Sequence, residues 1–109
     1  MILKYDISIS KDAISASFSR IVNQIYKLLP MREEGADWQN FLYTIIEELK
    51  GLQRLMFKEE EEIFCSLISK LEGLFVLLEE KDFFLFRRTI FDCINLTNVL
   101  KEGVEKYAL

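Results

Sequence analysis

Two clusters of acidic residues are the groups of this chain best suited to chemistry. The first is the glutamate run 59–62, and the second is the segment Glu79-Glu80-Lys81-Asp82. Carboxylate oxygens are the ligands that hard cations such as Mg²⁺ prefer, so one possible chemistry is an all-carboxylate metal site. The other expectation, which the sequence favours, is that both clusters are solvated helix ends, because acidic residues in a first turn suit the positive end of the helix dipole.

The clusters resemble the magnesium-binding elements of the all-α nucleotide pyrophosphohydrolases. Those enzymes use an EExxE element and an ExxD element, and Glu79 and Asp82 match the second spacing. The resemblance covers the two clusters only, and it requires Glu59, Glu62, Glu79 and Asp82 to converge around a metal. A metal site in a bundle uses inward-facing positions in mid-helix, whereas both clusters fall at predicted helix ends. A magnesium-dependent nucleotide hydrolase is therefore one alternative function.

The absence of histidine removes most other catalytic arrangements. The chain has no histidine, so Ser–His and Cys–His pairs and zinc sites built from cysteine and histidine are excluded. It has no GxxxxGK[ST] or GxGxxG phosphate loop. Cys65 and Cys93 lie in apolar stretches without a CxxC motif, which predicts two free thiols in or near the core. The sequence thus predicts a protein that is not an enzyme and holds no metal or cofactor.

Aromatic and arginine residues near the start of the last predicted helix are the first candidates for binding. Phe84 and Phe91 are seven residues apart and form a second stripe beside the main apolar one, flanked by Arg87 and Arg88. Aromatic side chains beside arginine are typical of interface hot spots. We expect these four residues to contact a partner protein or a second copy of the chain. The alternative is a broad apolar face shared between two neighbouring helices.

Two further surfaces are candidates for partner binding. The polar segment 30–36 with Trp38 is predicted to be a loop, in which Arg32 and Trp38 would meet a partner, unless Trp38 folds into the end of the core. The third predicted helix carries small residues opposite its apolar stripe, which either another helix or a second chain could cover: Cys65, Ser66, Ser69, Gly73 and Val76.

The elements that must position these residues are helices. Apolar residues recur at helical spacing in four segments, at about 11–29, 37–57, 59–79 and 82–102. Ser10, Asp37 and Asp82 are expected as N-caps. Pro30 is expected to end the first helix, because proline disfavours helical geometry in the residue before it.

Four amphipathic helices with short connections predict a single-domain, all-α, antiparallel four-helix bundle. Residues 2–9 alternate polar and apolar side chains, so they form either a short extended arm or part of the first helix. Residues 58–62 either turn, which we favour, or continue one long helix. Gly51 and Gly73 are expected to allow close approach of another helix, since a glycine inside a helix is otherwise unfavourable.

Composition narrows the class of partner. The chain has 109 residues and a formal net charge of −4, so nucleic acid is not expected as a partner. No apolar run is long enough to cross a membrane and no secretory signal is visible, which predicts a cytoplasmic protein. By size and architecture it is similar to small inhibitors or immunity proteins of bacteria and phages and to accessory subunits. We expect a regulatory protein that occupies a partner protein's surface, or alternatively a self-assembling structural oligomer.

Overall fold

The structure, a computed structural model that describes residues 11–55 and 60–105, consists of four α-helices in its described part. Two short 3₁₀ turns, Leu74–Val76 and Glu80–Asp82, lie between the last two helices. The predicted all-α bundle is confirmed. The helices are α1 (Lys11–Glu34), α2 (Trp38–Leu55), α3 (Glu61–Gly73) and α4 (Phe83–Glu105).

The helices form a closed ring in which each packs against the next and α4 returns to α1. The α1–α4 interface is the most extensive. Ser15 near the start of α1 donates a hydrogen bond to Glu105 at the end of α4, at 2.9 Å, so these two helices are antiparallel. Gln53 of α2 donates to the Sγ of Cys65 in α3 at 3.7 Å. Because α2 and α3 lie side by side, they are two separate helices and not one long one.

Aromatic side chains fill the centre of the ring along both diagonals. Phe18 of α1 packs against Phe64 of α3, with 6.2 Å between the ring centroids. Trp38 of α2 meets the ring of Phe86 in α4 edge to face at 5.2 Å. The apolar stripes of all four helices therefore bury their side chains in one shared core, which stabilises helices that would be marginal alone.

The first helix passes through Pro30, and the prediction that it ends at Leu29 was wrong. A proline has no N–H, so the carbonyl of Tyr26 has no helical donor four residues later. The helix nevertheless continues for another turn, to Glu34. The physical reason is packing, because Met31 in that extra turn contacts the core.

A glycine, not the proline, ends α1. Gly35 has a φ of +73°, a backbone conformation that glycine adopts without steric cost. Its N–H donates to the carbonyl of Arg32 at 3.3 Å, and the N–H of Ala36 donates to the carbonyl of Met31 at 2.9 Å. These two bonds form a Schellman motif, so the loop between α1 and α2 is shorter than predicted.

The two predicted aspartate caps have different outcomes. Asp37 does cap α2, since its Oδ1 accepts the backbone N–H of Asn40 at 3.3 Å. Asp82 does not cap α4 as predicted. Its carboxylate accepts the N–H of Glu79 at 3.2 Å and so belongs to the 3₁₀ turn before α4. The third helix also ends earlier than predicted, at Gly73, while α4 extends to Glu105.

Neither mid-chain glycine serves the close helix contact that the sequence suggested. A Cβ built on Gly51 or Gly73 would meet nothing within 4 Å, so that prediction was wrong. The small residues predicted on the third helix run from Cys65 in α3 to Val76 in the 3₁₀ turn that follows it, and all are exposed, so no other described helix covers them. The predicted extended arm and the Ser10 cap lie outside the described residues.

Candidate protein-binding surface

The four residues singled out on α4 lie together on the outside of the bundle. Positions three, four and seven apart share one side of a helix, so Phe84, Arg87, Arg88 and Phe91 form a continuous strip, here called the α4 face. All four side chains are exposed. Phe84 is 77% exposed, the highest value among the large hydrophobic residues described. The core-facing stripe of α4 lies on another side and includes Phe86 and Ile90, which are fully buried.

A stack of three side chains orders the middle of the α4 face. The guanidinium of Arg87 lies over the ring of Phe91, 5.7 Å from its centroid. The Phe91 ring in turn meets Tyr26 of α1 edge to face, with 6.0 Å between centroids and an interplanar angle of 79°. Both arrangements are favourable. Tyr26 is 45% exposed and extends the surface onto α1.

Sequence reasoning did not find Tyr26. The available signal was an aromatic residue outside the apolar stripe of α1, but nothing in the local sequence places it beside Phe91, 65 positions away.

No described carboxylate lies within ion-pair distance of Arg87 or Arg88. Five other basic side chains do have a carboxylate partner within ion-pair distance: Arg20, Lys50, Lys70, Lys81 and Lys101. Within the described ranges, no such pair includes either arginine of the α4 face. Their charges therefore remain available to a partner.

Arg32 has a different environment from the one predicted. Its Nη2 donates to the carbonyl of Leu77 at 3.0 Å and to that of Glu79 at 2.8 Å. Its guanidinium also lies 4.8 Å from the centroid of Phe86 and 5.3 Å from that of Phe83. Arg32 thus ties the end of α1 to the segment between α3 and α4.

Trp38 lies in the core and not on a loop surface. It is 6% exposed, stacks on Phe75 at 6.4 Å with an interplanar angle of 21°, and contacts Phe86 as described above. Of the six predicted partner-binding residues, the structure therefore brings four together on the α4 face. It places Arg32 and Trp38 in contacts that hold one end of the bundle.

An open cleft of about 880 Å³ lies at that end of the bundle. Leu78, which is 59% exposed, and Phe83 supply apolar lining. Glu33 and Glu80 supply carboxylates, and the remaining lining residues are Arg32, Trp38 and Gln39. The cleft is mixed in character, and the two donor contacts of Arg32 are already made within the fold.

The acidic residues proposed as magnesium ligands are not brought together. Glu62 lies in the first turn of α3, whereas Glu79 and Asp82 follow its far end. Glu62 is the second of the thirteen residues of α3, so at about 1.5 Å per residue it lies roughly 17 Å along the helix axis from Gly73, where α3 ends. Glu59 lies outside the described residues. No group of three potential metal-ligating side chains occurs in the part of the chain that the structure describes.

The two cysteines are free, as predicted, but only one is in the core. Cys65 is exposed and Cys93 is buried. Burial raises the pKa of the Cys93 thiol to about 12, an effect that nearby Asp92 reinforces and Lys70 opposes. Since the thiolate is the reactive form, Cys93 is a packing residue and Cys65 is the accessible thiol.

Comparison of the chain with protein-family models, with curated proteins and with solved structures found no match. None of the helices in the described ranges combines the length and apolar character that a membrane span requires.

Proposed function

We propose that this chain is a small, non-enzymatic regulatory protein that binds a partner protein through the α4 face. In this proposal it acts in the cytoplasm as an inhibitor, immunity-type protein or accessory subunit, by covering part of the partner's surface. The observation that carries the proposal is the 77% exposure of Phe84 beside two arginines that lack a described carboxylate partner.

The fold does not need Phe84 in this position. The apolar contacts of α4 are made by its buried side chains, which Phe86, Ile90 and Ile94 represent. Burying a phenylalanine side chain is worth about 1.5–3 kcal/mol, and for Phe84 most of that stabilisation is left for an intermolecular contact. Arginine and aromatic residues are enriched among the side chains that dominate binding energy, and the α4 face contains both.

The test is affinity purification of the tagged protein from its native host, followed by mass spectrometry. Phe84→Ser is the test variant. Tyr43→Ser is the matched control, because Tyr43 is 58% exposed but lies on α2. We expect the wild type and Tyr43→Ser to retain a stoichiometric partner protein and Phe84→Ser to lose it while its circular dichroism spectrum is unchanged. Retention of the partner by folded Phe84→Ser would refute the proposal.

A self-assembling oligomer is the second candidate, and the exposed small-residue side of α3 favours it. Val76, which continues that side in the 3₁₀ turn after α3, is 75% exposed, and small side chains permit another backbone to approach closely. Association stabilises the folded state by mass action. If the chain self-assembles, its melting temperature should rise with protein concentration, and the Ser69→Glu substitution should abolish that dependence. This result would support the oligomer over the first candidate.

A further inference from the structure

The α4 face is a local concentration of positive charge on an acidic protein. Residues 83–91 contain Arg87 and Arg88 and no acidic residue, whereas the whole chain carries a formal net charge of −4. Carboxylates outnumber basic side chains in this chain, 18 to 14, yet none of those described pairs with either arginine. Both guanidinium groups are exposed and can therefore pair with carboxylates from outside the described bundle.

The contacts of Arg87 prepare it for a carboxylate. Its guanidinium is held over Phe91, and Phe91 is supported by Tyr26. A stacked guanidinium retains N–H donors along its edge, and its planar fork matches the two oxygens of a carboxylate. Because stacking already restricts the side chain, less conformational entropy is lost when an acceptor binds.

The charges around α4 indicate how a bound segment would lie. Glu79 and Glu80 precede the helix and would repel an acidic ligand. In the other direction, the strip continues with the neutral side chains of Asn95 and Asn98, and the one carboxylate beside them, Asp92, pairs with Lys70. An acidic segment is therefore accommodated along α4 from Phe84 toward Asn98, with an apolar side chain against Phe84.

A polyanion such as nucleic acid fits this surface less well. It binds proteins by neutralising many phosphates with basic side chains, and the α4 face offers two arginines on a chain of net negative charge. A protein segment with a few carboxylates beside an apolar anchor requires no larger basic area.

We propose that the partner element recognised by the α4 face is an acidic amphipathic helix, whose apolar side chain covers Phe84 and whose flanking carboxylates pair with Arg87 and Arg88. This inference rests on the proposed function and specifies the chemistry of its partner.

The test uses three synthetic 18-residue helical peptides that share one leucine stripe. They differ only at the flanking positions, which are all glutamate, all glutamine or all lysine. Each is titrated into the ¹⁵N-labelled full chain, and amide chemical shifts are recorded. We expect the glutamate peptide to bind most tightly, to shift the amides of Phe84–Phe91 and Tyr26, and to weaken as salt increases.

Charge-removing variants sharpen the test. Arg87→Gln/Arg88→Gln should weaken the binding of the glutamate peptide about tenfold, because each substitution removes a charged hydrogen bond to a carboxylate. Arg54→Gln is the control, since Arg54 is exposed on α2 and has no described ion pair; it should leave the affinity unchanged.

The failures of the two proposals are distinguishable. If the glutamine and glutamate peptides bind equally well and Phe84→Ser abolishes the binding of both, the α4 face is a binding surface. The same result would overturn the proposal that its partner is acidic. Shifts confined to other helices, or no shifts with any peptide, would overturn the inference as well. Dimerisation of the chain alone that requires Phe84 would identify a second copy as the occupant of the α4 face. Binding to phosphatidylserine vesicles that requires Arg87 and Arg88 would identify a lipid surface instead. Either result would overturn the acidic helix as the partner.

Discussion

At the scale of single residues, burial gives similar side chains different chemical properties. Cys93 is fully buried, and burial suppresses ionisation of its thiol; Cys65 is exposed on α3. Phe86 fills the core, and Phe84, two positions earlier, is left on the surface. In each pair, the buried residue lies on the side of its helix that faces the core, and the exposed residue lies on another side.

The raised pKa of Cys93 predicts a pH dependence of stability. The unfolded thiol ionises near pH 9, whereas the folded thiol holds its proton up to about pH 12. Below pH 9 the thiol is protonated in both states, so this stabilising contribution is complete there. As pH rises from 9 toward 12, only the unfolded state releases the proton, and the free energy of unfolding falls by up to about 1.4 kcal/mol per pH unit.

The measurement is urea unfolding of the wild type and Cys93→Ala across this alkaline range. The variant loses stability at every pH because of its smaller side chain, but its curve should be flatter above pH 9. Parallel curves for the two proteins would show that the Cys93 thiol does not contribute to the alkaline loss.

At the scale of elements, the ends of the helices depend on backbone geometry and on packing more than on single breaker residues. Pro30 removes one helical donor, but the turn that follows it still packs Met31 on the core, so α1 continues. Gly35 ends it because its positive φ lets the chain reverse and satisfies two carbonyls of the last turn.

Substitutions at two glycines should therefore change stability in opposite directions. Gly35→Ala should lower the free energy of unfolding by about 1–2 kcal/mol, since an L-residue is strained at positive φ. Gly51→Ala should raise it by up to about 1 kcal/mol, because alanine favours the helix and its Cβ has open space. Chemical denaturation of both variants tests this, and destabilisation by Gly51→Ala would reveal a close contact at that position.

At the scale of the whole molecule, one arginine joins elements that are far apart in sequence. Arg32 at the end of α1 bonds to the carbonyls of Leu77 and Glu79 and stacks on Phe83 and Phe86. It thereby links α1, the segment after α3, and the first turns of α4. Together with the core, this contact fixes how the last helix returns to the first.

Arg32→Lys should accordingly lower the free energy of unfolding by about 1–3 kcal/mol, because lysine lacks the planar guanidinium whose Nη2 donates both hydrogen bonds while its face contacts the two rings. Amide hydrogen exchange in residues 74–82 should accelerate. Arg20→Lys is the control: Arg20 pairs with Glu48 on the surface, where an ion pair contributes at most about 1 kcal/mol. Equal effects of the two substitutions would argue against the linking role of Arg32.

The sequence by itself determined the helical class, the approximate positions of the helices and the Asp37 cap, and it placed Phe84, Arg87, Arg88 and Phe91 on one side of α4. These features depend on residues within a few positions of one another, and helical periodicity reports which side of each helix is apolar. Only the tertiary structure decided that α1 passes Pro30, that Arg32 bonds to distant carbonyls, that Tyr26 supports Phe91, and that the small side of α3 stays uncovered. Each of these depends on which helices become neighbours, and contacts between residues tens of positions apart leave no local pattern in the chain.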